Sequence, residues 1–117
     1  TMPDYTRAQD VHSPQDRWTL KKVVHDEGES LYAVAIGTWR LADSTEQPRL
    51  ALRWNGEEGR PAGTPSSRGH ATWFIVPDPL AAAIADTTLR LITRSGLNED
   101  ARVRAEMLVE WAAKIPG

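Results

Sequence analysis

The sequence predicts an α+β domain in which a four-stranded antiparallel sheet is followed by two helices. Four runs of residues have the two-residue period of strands. The first and third alternate between apolar and polar side chains, the second between large and small ones, and the fourth is apolar on both faces. In the first run Lys22 falls on the apolar face, which indicates a strand end or bulge there. The C-terminal part instead repeats its apolar residues at helical spacing. The predicted strands cover about residues 17–25, 31–40, 49–55 and 71–76, and the predicted helices cover about residues 79–95 and 98–115.

Length and composition favour one folded domain. The chain has 117 residues, of which 40% are hydrophobic and 26% charged, as in ordinary globular proteins. Residues 1–16 contain two prolines and no apolar period, so they are predicted to be a flexible lead-in to a domain over residues 17–117. The 14 basic and 16 acidic side chains nearly cancel. Any anion-binding site must therefore be local.

The absence of cysteine excludes a disulfide framework, a thiolate metal site and a cysteine nucleophile. This composition suits a reducing cytoplasm. No apolar run approaches the ~20 residues of a membrane helix, and the first residues lack the pattern of a secretory signal. We therefore expect a cytoplasmic protein that makes no membrane contact.

The second and third predicted strands define two unequal faces of the sheet. One face of residues 31–40 carries large apolar side chains, and the other is flat: Ala33, Ala35 and Gly37. A flat face admits a helix of the same chain, a partner or a planar ligand at close range. The apolar residues of the third strand are predicted to point inward: Leu50, Leu52 and Trp54. Arg49 and Arg53 then share the flat side with Lys21 and form a small basic surface.

The chain has five tryptophans, and one of them is set apart by its position. Trp39 ends the flat face, where a ring beside a basic groove can stack on a base. The other four occupy positions that predict burial in the core: Trp18, Trp54, Trp73 and Trp111.

Residues 55–70 form a long predicted loop with four glycines and two prolines. Arg60, Arg68 and His70 lie in it beside small residues whose backbone N–H groups are open, a combination that can hold an anion. The alternative interpretation is a solvated connection in which Glu57 and Glu58 offset the charge of the arginines.

Standard signals mark the starts of the two helices. Asp78 followed by Pro79 predicts the cap and first residue of the first helix, and Asn98 predicts the cap of the second. The second helix has a broad apolar stripe. Because this stripe and the strand edges lack cover in so small a chain, we expect a homodimer.

The usual enzyme motifs are missing. The sequence has no glycine-rich phosphate loop ending in Lys-Ser/Thr, no nucleophile elbow and no histidine pair at metal-ligand spacing. His25 and His70, with Arg68, supply the groups of a metal-independent ribonuclease, but no motif singles them out. We expect no catalytic residue, cofactor or metal. Enzyme activity stays open, with a non-enzyme favoured.

Two tracts resemble known families. Leu52-Arg53-Trp54 with Gly56, then Arg68-Gly69 leading through a strand to a helix at Pro79, is similar to the arginine-bearing strand and Lys-Gly turn of the transcriptional coactivator positive cofactor four and of plant Whirly proteins. The resemblance covers about residues 18–95 and implies a fold that binds single-stranded DNA. The tract RWNG…SRGHATWFIVP also resembles a recurring segment of small bacterial proteins of uncharacterised function.

Three functional hypotheses remain open. The first is non-catalytic binding of single-stranded nucleic acid over the flat sheet face, through Lys21, Trp39, Arg49, Arg53, Arg68 and His70. The second is a protein-interaction module that docks a partner or a second copy through the flat face or the C-terminal helix, for which an exposed apolar patch on the order of several hundred Å² is diagnostic. The third is a small-ligand binder or enzyme in which the 55–70 loop closes over a pocket containing Arg68 and His70.

Overall fold

The computed structural model describes residues 4–94 and 96–116. It confirms the α+β class: a four-stranded antiparallel sheet is followed by two helices. The strands are β1 (Trp18–Asp26), β2 (Tyr32–Arg40), β3 (Glu46–Trp54), β4 (Ser66–Ser67), β5 (His70–Ala71) and β6 (Phe74–Ile75), and the helices are α1 (Asp78–Thr93) and α2 (Glu99–Ala112). The sheet has the order β1-β2-β3-β6, and β4 pairs with β5 in a separate hairpin.

The predicted strand over residues 71–76 is divided in the structure. Only β6 joins the main sheet, where Leu52 lies opposite Phe74. Residues 70 and 71 instead pair back on β4, because Arg68 and Gly69 both have positive φ and close a tight two-residue turn.

The two faces of the sheet support two separate cores. The large residues Val34, Ile36 and Leu50 pack under both helices, as the alternation predicts. On the opposite face, Ala33, Ala35 and Ala51 pack with Trp18 and Trp73. The flat face is therefore part of the protein interior.

The N-terminal segment covers the flat face. Ala8 and Val11 are buried against it. The indole Nε1 of Trp73 donates to the carbonyl of Val11 at 2.7 Å, and Ser13 bridges to Thr72. Residues 8–13 thus pack against the flat face, although the flexibility predicted for residues 1–16 stays a prediction. Residues 1–3 of the predicted lead-in lie outside the described residues.

Two bulges change the orientation of β1. The register with β2 shifts between Leu20 and Lys22 and again between Val23 and His25. Trp18 and Val23 therefore belong to the core of the flat face, whereas Val24 belongs to the core under the helices. The first register shift lies beside Lys22, where the sequence indicates a strand end or bulge, and the second was not predicted.

The helix ends differ in part from the prediction. Asp78 is the first residue of α1 rather than its cap, and the predicted end at residue 95 lies outside the described residues. In α2, Trp111 donates from Nε1 to the carbonyl of Gly37 at 3.0 Å, so this helix is fastened to the sheet of its own chain. The homodimer stays a prediction. Within the described part of the chain, no helix is long and apolar enough to cross a membrane.

Asn98 caps α2 as predicted, since its Oδ1 accepts from the backbone N–H of Ala101 at 2.8 Å. Replacing Asn98 with alanine should lower the free energy of unfolding by about 1 kcal/mol, because the first turn loses this acceptor. Urea denaturation measures the change. Asn98→Asp keeps an acceptor and serves as the control. Equal losses in both variants would contradict the capping role.

Candidate functional site

The residues predicted to bind nucleic acid do not form one surface. Arg53 is only 3% exposed, and its two terminal nitrogens donate to the carbonyls of Thr72 and Ala62. Its guanidinium lies 5.9 Å from the ring centroid of Trp73. Burial lowers the pKa of Arg53, because desolvation disfavours the charged form. Arg53 holds the 55–70 loop against the sheet and is not accessible to a phosphate.

Arg49 is also engaged within the chain. Its Nε lies 2.9 Å from Oδ1 of Asp78 at the start of α1, and its Nη2 donates to Gln47 at 2.9 Å. The Nε–H does not point at the carboxylate oxygen, so this contact is an ion pair without a hydrogen bond. The positive charge of Arg49 is therefore offset at the beginning of α1.

The remaining predicted site residues are dispersed. Lys21 lies on the helix side, with Nζ 5.0 Å from the ring centroid of Trp111, because its neighbour Leu20 packs in the core of the flat face. Trp39 is partly buried against the core of the flat face. Arg68 and His70 are exposed on the β4–β5 hairpin. The predicted basic surface on the flat face is thus absent from the described residues.

The two histidines of the ribonuclease hypothesis lie in different pockets. His25 lines a cleft of about 840 Å³ between β1 and the connection of the two helices. His70 lines another pocket of about 250 Å³, where its neighbour is His12. The acid and base predicted for that reaction therefore do not share a site.

Several ionisable groups of the large cleft are paired with one another, although among the described residues Lys22, which also lines it, is not. Oε2 of Glu27 lies 2.6 Å from Nε2 of His25 and 2.6 Å from Nη2 of Arg94. Arg104 pairs with Asp100 at 2.8 Å. Across residues 4–94 and 96–116, no group of three or more His, Cys, Asp or Glu side chains is placed to hold a metal ion. The polar cleft thus has few unengaged groups for a ligand.

An apolar groove lies at the end of the sheet. We call it the aromatic groove, and its volume is about 430 Å³. Its lining comes from β2, β3, β6 and the loop: Tyr32, Leu52, Arg53, Trp54, Thr64, Pro65 and Phe74. Trp54 is 59% exposed and Phe74 is 55% exposed. The prediction that Trp54 belongs to the core was wrong.

The exposure of Trp54 follows from its place on β3. Leu50 is fully buried under the helices, Leu52 is partly buried, and Trp54 is the last residue of the strand. All three side chains point to the same side, but the cover that the helices give decreases along the strand. The alternation predicts correctly the side of the sheet to which the Trp54 ring points. It does not predict how far along β3 the helices cover that side.

Backbone pairing fixes the aromatic groove. Tyr32 and Trp54 are opposite one another across β2 and β3, and their rings meet edge to face with centroids 6.4 Å apart. The backbone of Trp54 exchanges hydrogen bonds of 2.7 and 3.0 Å with Thr64. The rings therefore stand on paired strands, and the loop forms a fixed wall of the groove.

The aromatic groove is suited to apolar groups. Arg53 is the one charged residue among its lining residues, and both of its terminal nitrogens already donate to carbonyls. The hydroxyl of Thr64 adds a polar group at the wall. Ligand sites commonly combine such an apolar lining with a few polar groups, and their volumes are of this order.

Comparison with known families, curated proteins and solved structures found no match to this chain. The resemblance to positive cofactor four and Whirly proteins, and the resemblance to a segment of bacterial proteins, therefore stay predictions. The functional argument rests on the geometry of the aromatic groove.

Proposed function

We propose that this protein is a non-catalytic interaction module that binds an extended apolar segment of a partner protein in the aromatic groove. The observation that carries the proposal is the exposure of Trp54 and Phe74, each more than half accessible to solvent, over an apolar floor. The two rings together expose on the order of 200 Å². With their apolar neighbours they approach the patch size that signals contact on a monomer.

The size of the aromatic groove favours a single anchor side chain. A stable complex of two folded proteins buries about 800 Å² on each partner, several times the exposed area of the two rings. A second copy of this chain therefore needs much more surface than the groove supplies. A groove of about 430 Å³ has room for one aromatic or aliphatic side chain of an extended segment together with part of its neighbouring backbone.

Single-stranded nucleic acid fits the aromatic groove less well. Most of the affinity for nucleic acid comes from phosphate contacts with accessible cations. Arg53 is the only cation in the lining, and it is buried beneath the loop. Arg49 is offset by Asp78. Stacking on Trp54 alone leaves the phosphates of an oligonucleotide without partners.

Short capped peptides of glycine and serine with one central tryptophan, leucine or serine test the proposal. The five tryptophans give five indole N–H signals by NMR, and Trp54→Phe identifies the signal of Trp54. We expect the tryptophan and leucine peptides to shift that signal with a dissociation constant of roughly 1 mM. The binding is weak because the free energy gained by burying one apolar side chain is largely offset by the loss of translational and rotational freedom. The serine peptide should not shift it.

Phe74→Ser should weaken binding of the tryptophan peptide about tenfold, because one side of the groove is lost. Val109→Ser is the matched control: Val109 is 53% exposed on α2, outside the groove lining. Equal binding by both variants would contradict the proposal. It would also fail if a labelled single-stranded oligonucleotide, and no peptide, shifted the Trp54 signal at low salt.

A further inference from the structure

A second pocket adjoins the aromatic groove on the other side of Trp54. Its volume is about 200 Å³, and Trp54 and Thr64 belong to the walls of both cavities. Its other lining residues are mostly polar: Ser30, Asn55, Gly56, Glu57, Arg60 and Gly63. We call it the Arg60 pocket. A segment anchored in the aromatic groove can place its next side chain in this pocket.

The unengaged side-chain groups of the Arg60 pocket include the donors of Arg60 and the buried acceptor Oδ1 of Asn55. Glu57 already accepts from the hydroxyl of Ser30 at 3.2 Å. The amide nitrogen of Asn55 donates to Asp26 and to the carbonyl of Gly28, both at 2.8 Å. Within residues 4–94 and 96–116, the exposed guanidinium of Arg60 has no hydrogen-bond or ion-pair partner. Its donors favour a ligand with acceptor oxygens.

The backbone holds Arg60 in place beside Trp54. Glu57 and Arg60 exchange backbone hydrogen bonds of 3.1 and 2.9 Å around a turn in which Gly59 has a φ of 89°. Gly56 packs so closely that a Cβ there would lie 2.5 Å from the carbonyl oxygen of Arg60. The backbone of Arg60 is therefore fixed next to the groove. Less conformational entropy is lost when its guanidinium pairs with a ligand.

We infer that the Arg60 pocket selects an acidic residue beside the apolar anchor of the bound segment, through pairing of its carboxylate with Arg60. This inference rests on the proposed function and adds the charge of the partner to it. Glu57 is the one carboxylate among the lining residues. One of its oxygens accepts from Ser30, and Glu57→Gln, which removes the competing negative charge, should further favour an acidic peptide.

Three capped peptides test the inference, each with a central tryptophan followed by aspartate, asparagine or lysine. The wild-type protein should bind the aspartate peptide roughly threefold more tightly than the asparagine peptide, as expected for an exposed ion pair. Arg60→Glu should reverse the order and favour the lysine peptide. Raising the salt concentration should remove the difference. The indole signal of Trp54 reports all three titrations.

Arg68→Glu is the matched control, since it makes the same change of charge in the same loop but lines neither cavity. It should keep the preference for aspartate. If all three peptides bind the wild type equally, the role of Arg60 is overturned and the proposed function stands. If Arg60→Glu and Arg68→Glu change the order of peptide affinities equally, the net charge of the loop sets the preference. The specific role of Arg60 in the pocket is then overturned. If no peptide shifts Trp54, both proposals fail.

Discussion

Replacement of Gly37 with alanine should lower the free energy of unfolding by about 3 kcal/mol, because the sheet has no space for a side chain there. A Cβ at this position would lie 2.3 Å from the backbone oxygen of Thr19 and 2.6 Å from the ring of Trp18. The carbonyl of Gly37 also accepts from Trp111 of α2. A shift of β2 away from β1 therefore disturbs both cores. Urea denaturation followed by circular dichroism measures the loss.

Two further variants separate the steric cause from a general effect of losing a glycine. Gly28 has a φ of 96°, and a Cβ added to it would meet no atom within 4 Å, so Gly28→Ala should cost only about 1 kcal/mol of backbone strain. Trp18→Phe removes part of the ring that obstructs position 37. Adding it to Gly37→Ala should therefore cost less than the sum of the two single changes. Equal losses for Gly37→Ala and Gly28→Ala would show that β1 and β2 accommodate the methyl group.

The faces of β2 and β3 could be predicted because alternation determines direction wherever the pairing is regular. Ile36 is paired with Leu50, and Ala35 with Ala51, so large and small residues separate as the pattern indicates. In β1, the bulge after Leu20 changes the pairing. One residue out of register reverses the direction of those that follow. The prediction for Lys21 gave the wrong side of the sheet because Trp18 and Leu20, which precede the bulge, pack on the flat face and not under the helices.

The cover of each face could not be predicted from local patterns. Ala8 and Val11 lie on the flat face through a contact with Trp73, which is distant in sequence, and their segment has no apolar period. Trp54 looks like a core residue because its alternation continues that of Leu52. Its exposure depends on how far the helices extend over the sheet, which is a property of packing. The aromatic groove has no signal in the sequence for the same reason.

Replacement of Arg53 with methionine should lower the free energy of unfolding by about 2 kcal/mol. The carbonyls of Ala62 and Thr72 would lose their charged donor and remain in a site that water reaches poorly. Relief of the desolvated charge offsets part of this loss, since burial already lowers the pKa of Arg53. Because Arg53 joins both ends of the segment 62–72, the amides of that segment should also exchange hydrogen faster in the variant.

Arg49→Met is the control, because it makes the same substitution on the same strand and face. The side chain of Arg49 is 18% exposed and forms an ion pair with Asp78. Its loss removes the partner of Asp78 and should leave exchange in the segment 62–72 unchanged, because Arg49 pairs with Asp78 and Gln47 and not with that segment. Both variants could lose the same free energy of unfolding and show the same amide hydrogen exchange in the segment 62–72. That result would show that the buried Arg53 does not specifically stabilise the loop. The loop wall of the aromatic groove is then held by the backbone pairing of Trp54 with Thr64 alone.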